Sequence, residues 1–502
     1  MAPAEQAPAR YTGFDGMPIA GTWRAGNAGS TASDTNPFSG ETLAEIPQAD
    51  AADVDSAYRN ARDAQRQWER TPPSEQAQVF LRAAQIMDAR REEIFDWLTA
   101  EAGSTRVKCE WEWAITRADM MEAASHPSRM AGRITSSDIP DKENRVYRQP
   151  VGVVTVISPW NFPLHLSNRS VAPALSVGNA VVLKPASDTP VTGGLLLAKI
   201  YEEAGLPLSL LSVIIGRGRD VGDPLITHPI PRLISFTGST EVGKGLTEKA
   251  GIKKLDLELG GNAPVVVLDD ADLEHALDTA VFSSYLHQGQ ICIRANRVIV
   301  DAAVHDDFVA RFVERARALR VGDPKDPGTR IGPIINADQL KSIQDKVSRS
   351  VDAGARLLLS GEPTGPTGLT LPPHVVAGPN DVPTAAEEVF GPVATIVRAN
   401  GESDALELAN RTRYGLSSAV FTQDFERGLR FARQVEAGMT HINDTTVNYE
   451  PNTAFGGEKD SGVGRFGGDW GIETFTTDHW ISVQHSPRRF GFQPAGTAAD
   501  QL

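Results

Sequence analysis

A chain of 502 residues is too long for one hydrophobic core, so we expect at least two domains. Its formal net charge of -15 leaves no basic field to hold phosphates, which excludes a nucleic-acid-binding protein. Two cysteines are too few for a disulfide framework or a structural zinc site, and we expect no metal. No apolar run suits a transmembrane helix or a signal peptide, so we expect a cytoplasmic protein that binds no membrane.

Hydrophobic spacing divides the chain into regions. The first 50 residues are rich in glycine, threonine and proline and predict loops with short strands. From about Asp53 to Ser125 the pattern predicts helices. From Val151 onward, short β-branched runs alternate with helical stretches, which is typical of βαβ units on a parallel sheet. A second such region begins at Ala263, so the pattern predicts an α/β fold with two α/β domains.

Cys292 lies between a predicted helix, which ends near His287 before Gly289, and the predicted strand "RVIV". Catalytic groups are often carried on loops between rigid elements, so a nucleophilic thiol is one interpretation. The other interpretation is a small buried hydrophobic residue, which also suits Cys109 in its helical segment. The local sequence leaves both interpretations of Cys292 open.

A cysteine nucleophile needs a base or activator and donors for the oxyanion that it forms. Glu258 stands at a predicted strand end before a Gly-Gly turn and could be presented into a cleft. Asn161 follows a buried strand between two prolines and could donate its amide to an oxyanion. Each has a structural alternative, which is a solvated carboxylate for Glu258 and a turn-capping amide for Asn161.

Two predicted strand ends could hold an anionic cofactor. Gly238 and Ser239 precede a helix whose free backbone N–H groups favour a dinucleotide phosphate. This stretch is not the usual G-x-G-x-x-G fingerprint, so alone it is a weak signal. Lys184 and Ser187 lie at the carboxyl end of another predicted parallel strand, where ligands bind open α/β sheets.

Eight stretches in order along the chain resemble the aldehyde dehydrogenase superfamily. They are "SPWNFP", "VVLKPAS", "FTGSTEVGK", "LELGGNAP", "GQICIRANRV", "EEVFGPV", "YGLSSAVFT" and "FGGEKDSGVGR". Glu258 and Cys292 are also separated by the 34 residues that the family pattern has. The resemblance covers nearly the whole chain and favours the catalytic interpretation of Cys292.

The resemblance implies a Rossmann-like cofactor domain, an α/β catalytic domain and a small β-arm that joins subunits. The NAD(P)-binding domain would comprise residues 1–131 and 151–258, and the catalytic domain residues 259–460. The arm would comprise residues 132–150 and 476–486. A homodimer or homotetramer follows from the resemblance.

A mechanism is also implied by the resemblance. The Cys292 thiolate attacks a small-molecule aldehyde, and the Asn161 amide and the Cys292 backbone N–H hold the oxyanion. Hydride leaves to a nicotinamide, and Glu258 activates the water that releases the acid. The implied cofactor residues are Lys184 and Ser187 for the adenosine ribose, Gly238 and Ser239 for the pyrophosphate, Glu388 and Phe390 for the nicotinamide riboside, and Trp160 for the cleft.

Ser187 departs from the pattern of many NAD-preferring members, which carry glutamate at this place. An acid there would repel a 2′-phosphate, whereas a serine can donate a hydrogen bond to one. Lys184 is nearby. The sequence therefore predicts use of NADP, or of both NAD and NADP.

The tail from His441 to Gln484 resembles the benzaldehyde and vanillin dehydrogenase branch. An aromatic aldehyde suits the implied tunnel because its ring would be buried and stacked there. A semialdehyde that carries a carboxylate would need a cationic side chain in the tunnel. Core packing is the alternative for some of these residues, and medium aliphatic or terpenoid aldehydes are alternative substrates. Arg169 stands where many relatives have tryptophan, and we predict for it no role beyond pairing with a carboxylate. The implied tunnel residues are Phe162, Leu166, Tyr285, Ile291, Ile293, Tyr449 and Phe455.

Three other functions remain to be weighed. A cysteine-dependent esterase or hydrolase could use Cys292, Glu258 and Asn161, but would not need the cofactor motifs. CoA-dependent acylating relatives usually lack the base, and a non-catalytic protein would tolerate loss of the nucleophile. The presence of Glu258 and Cys292 argues against both.

Overall fold

Short strands alternate with helices through most of the chain in the computed structural model, which describes residues 8–488 and 490. Residues 1–7 of the predicted first domain lie outside the described residues. The strands in chain order are β1 Met17–Ile19, β2 Thr22–Arg24, β3 Thr31–Thr35, β4 Thr42–Pro47, β5 Arg133–Thr135, β6 Lys142–Pro150, β7 Val153–Ile157, β8 Ala180–Lys184, β9 Leu211–Val213, β10 Leu233–Thr237, β11 Lys254–Glu258, β12 Ala263–Val267, β13 Ala295–Asp301, β14 Arg356–Leu359, β15 His374–Ala377, β16 Val393–Ala399, β17 Tyr414–Gly415, β18 Ser417–Phe421, β19 Met439–Ile442, β20 Glu458–Lys459, β21 Gly462–Val463 and β22 Thr476–Gln484.

Helices fill the region from residue 53 to 125, as the spacing of its apolar residues predicts. The first helix, Ala51–Trp68, begins with a capping box, in which the Asp50 side chain accepts a hydrogen bond from the backbone N–H of Asp53. In the part of the chain that is described, no helix is both long and apolar enough to cross a membrane. The helices in chain order are α1 Ala51–Trp68, α2 Pro73–Ala89, α3 Arg91–Ala102, α4 Arg106–Ala123, α5 His126–Arg129, α6 Pro163–Ser176, α7 Leu196–Glu203, α8 Asp223–Thr227, α9 Thr240–Lys249, α10 Leu273–Tyr285, α11 His305–Arg317, α12 Ala337–Asp352, α13 Pro383–Ala386, α14 Glu402–Asn410, α15 Phe425–Ala432 and α16 Gly468–Thr474.

The first large sheet places the ends of several parallel strands along one edge. Its order is β21-β11-β10-β7-β8-β9, and the edge strand β21 runs antiparallel to its neighbour. The strands β7, β8 and β10 are almost fully buried apolar runs, as parallel strands covered by helices must be. Ile157 pairs with Lys184, and Thr237 pairs with Glu258. The segments that follow these four residues therefore meet at one edge.

A second large sheet lies next to Cys292. Its order is β14-β15-β16-β13-β12-β18-β19, with β14 antiparallel and the other pairs parallel. Apolar side chains of α10 and α11 cover one face, and those of α14 and α15 cover the other. Because β13 begins at Ala295, Cys292 lies just before the amino end of that strand. The carboxyl edge of the first sheet thus faces a loop at the amino edge of the second.

A third sheet is formed by the two stretches that the sequence predicts to pair. β6 and β22 run antiparallel from Pro150 opposite Thr476 to Lys142 opposite Gln484, and β5 adds a third strand. Ile134 and Ile481 are exposed on it. The role of this sheet in joining subunits and the domain boundaries stay predictions.

Candidate active site

A cavity of about 730 Å³ lies between the two large sheets. It is walled by the segments that follow β7, β10 and β11, by the loop of Cys292, and by residues around Glu388. Pockets of this size and position in α/β proteins are common ligand sites. The predicted site residues that line it are Trp160, Asn161, Leu166, Gly238, Ser239, Cys292, Glu388 and Phe390.

Cys292 is held on a turn before β13, with its side chain partly exposed. Helix α10 ends at Tyr285, and the chain then bends through His287 and Gln288, which have φ angles of 50° and 54°. An added Cβ at Gly261 would overlap the carbonyl oxygen of Cys292. Only glycine therefore lets the turn after Glu258 approach the loop of the nucleophile so closely.

The surroundings of the Cys292 sulfur favour the neutral thiol. Burial raises the pKa of Cys292 well above its usual value, and the negative charge of Glu258 raises it further. Arg169 and a hydrogen bond from the Ile293 backbone lower the pKa again, but less. The thiol is therefore protonated at neutral pH, and its proton must leave when the sulfur attacks a carbonyl.

Asn161 is placed beside Cys292 by the turn between β7 and α6. Its side chain is buried, and its Nδ2 donates to the carbonyl oxygen of Gln290 at 2.9 Å. Gln290 is two residues before the nucleophile, so this bond ties the amide to the Cys292 loop. An amide nitrogen carries two protons, so a second N–H remains for an oxyanion.

Glu258 ends β11, and its side chain is 1% exposed. Its Oε2 lies 2.5 Å from Nη2 of Arg169, which comes from α6. Burial raises the pKa of Glu258, and the charge of Arg169 lowers it. The carboxylate that Arg169 was expected to pair with is thus the predicted base itself.

The turn from β10 to α9 has the features of a phosphate site. Ser239 caps the helix, since its Oγ accepts from the backbone of Val242 at 3.4 Å. A Cβ at Gly238 would lie 2.6 Å from the ring of Phe236, so the turn is packed against that ring and offers backbone to the cavity. Backbone N–H groups at a helix start favour an anion.

Glu388, Phe390 and Trp160 line another part of the cavity wall. Glu388 accepts from the backbone N–H of Gly261 at 2.9 Å, and burial raises the pKa of Glu388 to about 7. Phe390 has a φ of 53°, and its ring meets Trp160 edge-on at 5.3 Å. These residues combine a carboxylate acceptor with two aromatic rings.

Lys184 ends β8 and Ser187 follows it, but neither is among the residues that line the cavity. Lys184 is buried, and its Nζ donates to the carbonyl oxygen of Pro185 at 3.3 Å. Burial lowers the pKa of this lysine. Ser187 is exposed. Both lie at the same sheet edge as the cavity, beyond its wall.

The predicted tunnel residues form one apolar cluster next to Cys292, with a single exception. Tyr285 packs instead on Phe312 in the core of the second sheet, and its hydroxyl donates to the His374 carbonyl at 2.9 Å. The expected place of Tyr285 in the tunnel is therefore corrected, because the last turn of α10 points this side chain into the sheet. The predicted residues in the cluster are Phe162, Leu166, Ile291, Ile293, Tyr449 and Phe455.

Sequence reasoning missed Phe282 and Trp111, whose rings lie 5.6 Å apart beside this cluster. Phe282 is three residues before Tyr285, so a helical turn separates the predicted residue from the one at the cluster. Trp111 comes from α4, far away in the sequence, and no local signal could have found it. The polar end of the cluster is the Tyr449 hydroxyl, which donates to Asp119 at 2.7 Å.

A profile of the Aldehyde dehydrogenase family matches residues 23–481 of this chain. The chain belongs to the aldehyde dehydrogenase family. The predicted membership and fold class are thus confirmed, and the matches cover nearly the whole of this chain and of the relatives.

Vanillin dehydrogenase of Corynebacterium glutamicum is 49% identical to this enzyme over 485 residues, which are 95% of this chain and 100% of that protein. A benzaldehyde dehydrogenase of Bacillus subtilis is 45% identical over 477 residues, which are 94% and 98% of the two chains. The crystal structure of an NAD-dependent benzaldehyde dehydrogenase from Corynebacterium glutamicum is similar with a TM-score of 0.88 and 46% identity, covering 97% of this chain and 100% of that one.

The cavity of this aldehyde dehydrogenase fits a nicotinamide dinucleotide. The turn at Gly238 and Ser239 suits the pyrophosphate, and the Glu388 carboxylate suits ribose hydroxyls. At Gly260 a Cβ would lie 2.6 Å from Glu388 Oε2, so glycine keeps that carboxylate in place. Trp160 and Phe390 offer rings against a flat nicotinamide.

Proposed function

We propose that this aldehyde dehydrogenase oxidises an aromatic aldehyde of the benzaldehyde type to the carboxylic acid, with NAD or NADP as hydride acceptor. The observation that carries the proposal is the cluster of Phe162, Leu166 and Phe455 against Cys292, because it makes the acyl side of the nucleophile apolar and aromatic. The relatives named vanillin and benzaldehyde dehydrogenase support the same substrate class.

In the first step the Cys292 sulfur bonds to the carbonyl carbon, and the thiol proton passes from the sulfur to water in the cavity. The oxygen gains the negative charge, which the free N–H of Asn161 is placed to hold. A bound nicotinamide supplies a hydride acceptor. The acyl group is then a thioester on Cys292, and its hydrolysis is assigned to Glu258, whose carboxylate takes a proton from the attacking water.

Two buried cations lie behind the aromatic wall, but each is paired. The Lys108 ammonium lies 4.6 Å from the Phe162 ring centroid and pairs with Glu112. Arg169 lies 4.9 Å from the Phe455 ring centroid and pairs with Glu258. A substrate carboxylate would therefore meet aromatic faces in front of neutralised charges, which disfavours a semialdehyde.

The proposed cofactor use is NADP, or both cofactors, and rests on the exposed Ser187 near Lys184. We also propose a homodimer or homotetramer built through the third sheet, whose exposed apolar side chains support an interface. We also propose a cytoplasmic location, because two free cysteines and no disulfide framework suit a reducing compartment.

The test is the formation of reduced nicotinamide with benzaldehyde, run in parallel with NAD and NADP, with succinic semialdehyde and hexanal as comparison substrates. We expect the highest kcat/KM for benzaldehyde. Faster oxidation of succinic semialdehyde or hexanal would contradict the aromatic substrate, and a large preference for NAD would contradict the cofactor proposal.

A further inference from the structure

Arg169 reaches the base from the helix that follows Asn161. Its Nη2 lies 2.5 Å from Glu258 Oε2, and both side chains are 1% exposed. The same Nη2 donates to Thr237 Oγ1 at 3.2 Å, and Thr237 lines the cavity. A cation so deeply buried is costly unless it is held and paired. The burial of Arg169 therefore depends on its ion pair with Glu258 and its hydrogen bond to Thr237.

Two aromatic rings flank the guanidinium. Its carbon lies 4.1 Å from the ring centroid of Phe466 and 4.9 Å from that of Phe455. Contact with ring faces stabilises a cation in a dry site. Phe455 and Phe466 belong to the apolar cluster that also touches Cys292. Arg169 is thus built into the wall of the site and points at the base.

Glu258 itself is turned toward this cation. The cavity is lined by Thr237 and Leu259, which flank the strand end, but not by Glu258. Neither carboxylate oxygen accepts a hydrogen bond of good geometry from any described residue, although Oε2 is in ion-pair contact with Arg169. The carboxylate must therefore rotate toward Cys292 before it can take a proton from water at the thioester.

Charged and titratable groups from several elements surround Glu258, and the Tyr449 hydroxyl is one of them. Arg169 on α6 and, at longer range, Arg465 after β21 lower the pKa of Glu258, whereas burial raises it. Asp256, two residues earlier on β11, is also buried, and its pKa is raised to about 7 by burial and by Glu258. Cys292 faces Glu258 from the opposite loop. Arg169 is the cation in contact with the carboxylate.

We propose that Arg169 is a positioning residue for deacylation, which holds Glu258 as an anion turned toward α6 and releases it toward Cys292 once the thioester has formed. The inference rests on the proposed function. In the step concerned, the water oxygen bonds to the acyl carbon, one water proton moves to Glu258, and the carbon–sulfur bond breaks to leave the Cys292 thiolate. The other water proton stays on the acid product.

The experiment measures the rate constant for loss of the acyl group from Cys292 against pH, by quenched-flow mass spectrometry with benzaldehyde. Without the cation, the buried carboxyl keeps its proton to higher pH, and only the deprotonated form is a base. In Arg169→Met we expect the rising limb of the plot of deacylation rate against pH to move to higher pH by about one unit or more. Deacylation at pH 7 should be about tenfold slower. Arg169→Lys should restore part of the shift.

Arg465→Met is the matched control, since this arginine is more exposed and pairs with Glu458. The rising limb of the deacylation rate against pH should move much less in Arg465→Met than in Arg169→Met. An unchanged limb in Arg169→Met, or equal shifts in the two variants, overturns the inference. If Arg169→Met does not fold by circular dichroism, Arg169→Gln, which also removes the charge, carries the comparison, and a wild-type limb in that variant overturns the inference.

The first-turnover burst of reduced nicotinamide separates this inference from the proposed function. A native enzyme that gives no reduced nicotinamide with benzaldehyde contradicts the proposed function. If every variant gives a normal burst of reduced nicotinamide and the wild-type dependence of deacylation on pH, only the role of Arg169 is contradicted.

Discussion

Cys292 and Glu258 lie in surroundings that oppose the reactive form of each. Burial favours the neutral thiol and the neutral carboxyl, and the two negative charges would repel each other. Arg169 opposes both effects, because its charge lowers the pKa of Cys292 and that of Glu258. A third, cationic side chain therefore favours the charged forms of both groups in this buried site.

Replacing Glu258 with glutamine should slow deacylation without preventing acyl transfer. Glutamine is similar in size but cannot accept the proton from water, so the thioester should accumulate and kcat should fall by about 100-fold or more. Intact mass spectrometry of the quenched enzyme would show the acyl adduct. Cys292→Ala is the control and should lose both dehydrogenase and esterase activity. Normal turnover by Glu258→Gln would contradict the assigned role.

Replacing Ser187 with glutamate should favour NAD. The added carboxylate would repel a 2′-phosphate and could accept from ribose hydroxyls, so the NADP/NAD ratio of kcat/KM should fall by about 10-fold or more, which is on the order of 1.4 kcal/mol. Because Ser187 is exposed, Ser187→Ala is a matched control that adds no charge. A ratio that is the same in both variants would show that this position does not select the cofactor.

At the scale of elements, the site is made by strand ends and the turns after them. Parallel pairing in register puts Thr237 next to Glu258, and the Gly-Gly turn that follows carries the chain against the Cys292 loop. Helix α10 forms another wall, where Phe282 meets the apolar cluster next to Cys292 while Tyr285, at the helix end with a φ of -122°, packs into the sheet. A one-turn difference along a helix is beyond what a family pattern resolves.

Gly261→Ala should damage catalysis through the backbone. Its Cβ would overlap the Cys292 carbonyl oxygen, so the nucleophile's loop must move, and a shift of about 1 Å costs on the order of 100-fold in rate. The comparison is kcat/KM with benzaldehyde. Gly245→Ala on α9 is the matched control, because nothing lies within 4 Å of its added Cβ. Equal activity of the two variants would contradict the close approach.

At the scale of the whole molecule, two large sheets meet edge to edge around the cavity, and a third sheet extends from them. Ile134 and Ile481 both lie opposite Arg145 in that sheet, so their side chains share one face. They are 74% and 41% exposed. An exposed apolar face on a sheet edge is a surface that a second subunit would cover.

The variant Ile134→Asp/Ile481→Asp should therefore lower the oligomeric state, because two carboxylates would be buried without partners. Light scattering coupled to size-exclusion chromatography would give the mass. Circular dichroism should be unchanged, since both side chains are exposed. Ile252→Asp is the control, because Ile252 is fully exposed away from this sheet. A native mass in the double variant would contradict the proposed interface.

The amino-acid sequence by itself determined the α/β class, the family, and the identity of the nucleophile, base and oxyanion donor candidates. These depend on local patterns, such as β-branched runs, glycine turns and ordered motifs, which are visible along the chain. Tertiary structure alone decided that Arg169 contacts Glu258, that Trp111 packs beside the apolar cluster next to Cys292, and that Tyr285 packs outside that cluster. Those contacts join residues far apart in sequence or depend on where a helix ends, so only the packed fold brings the side chains together or separates them.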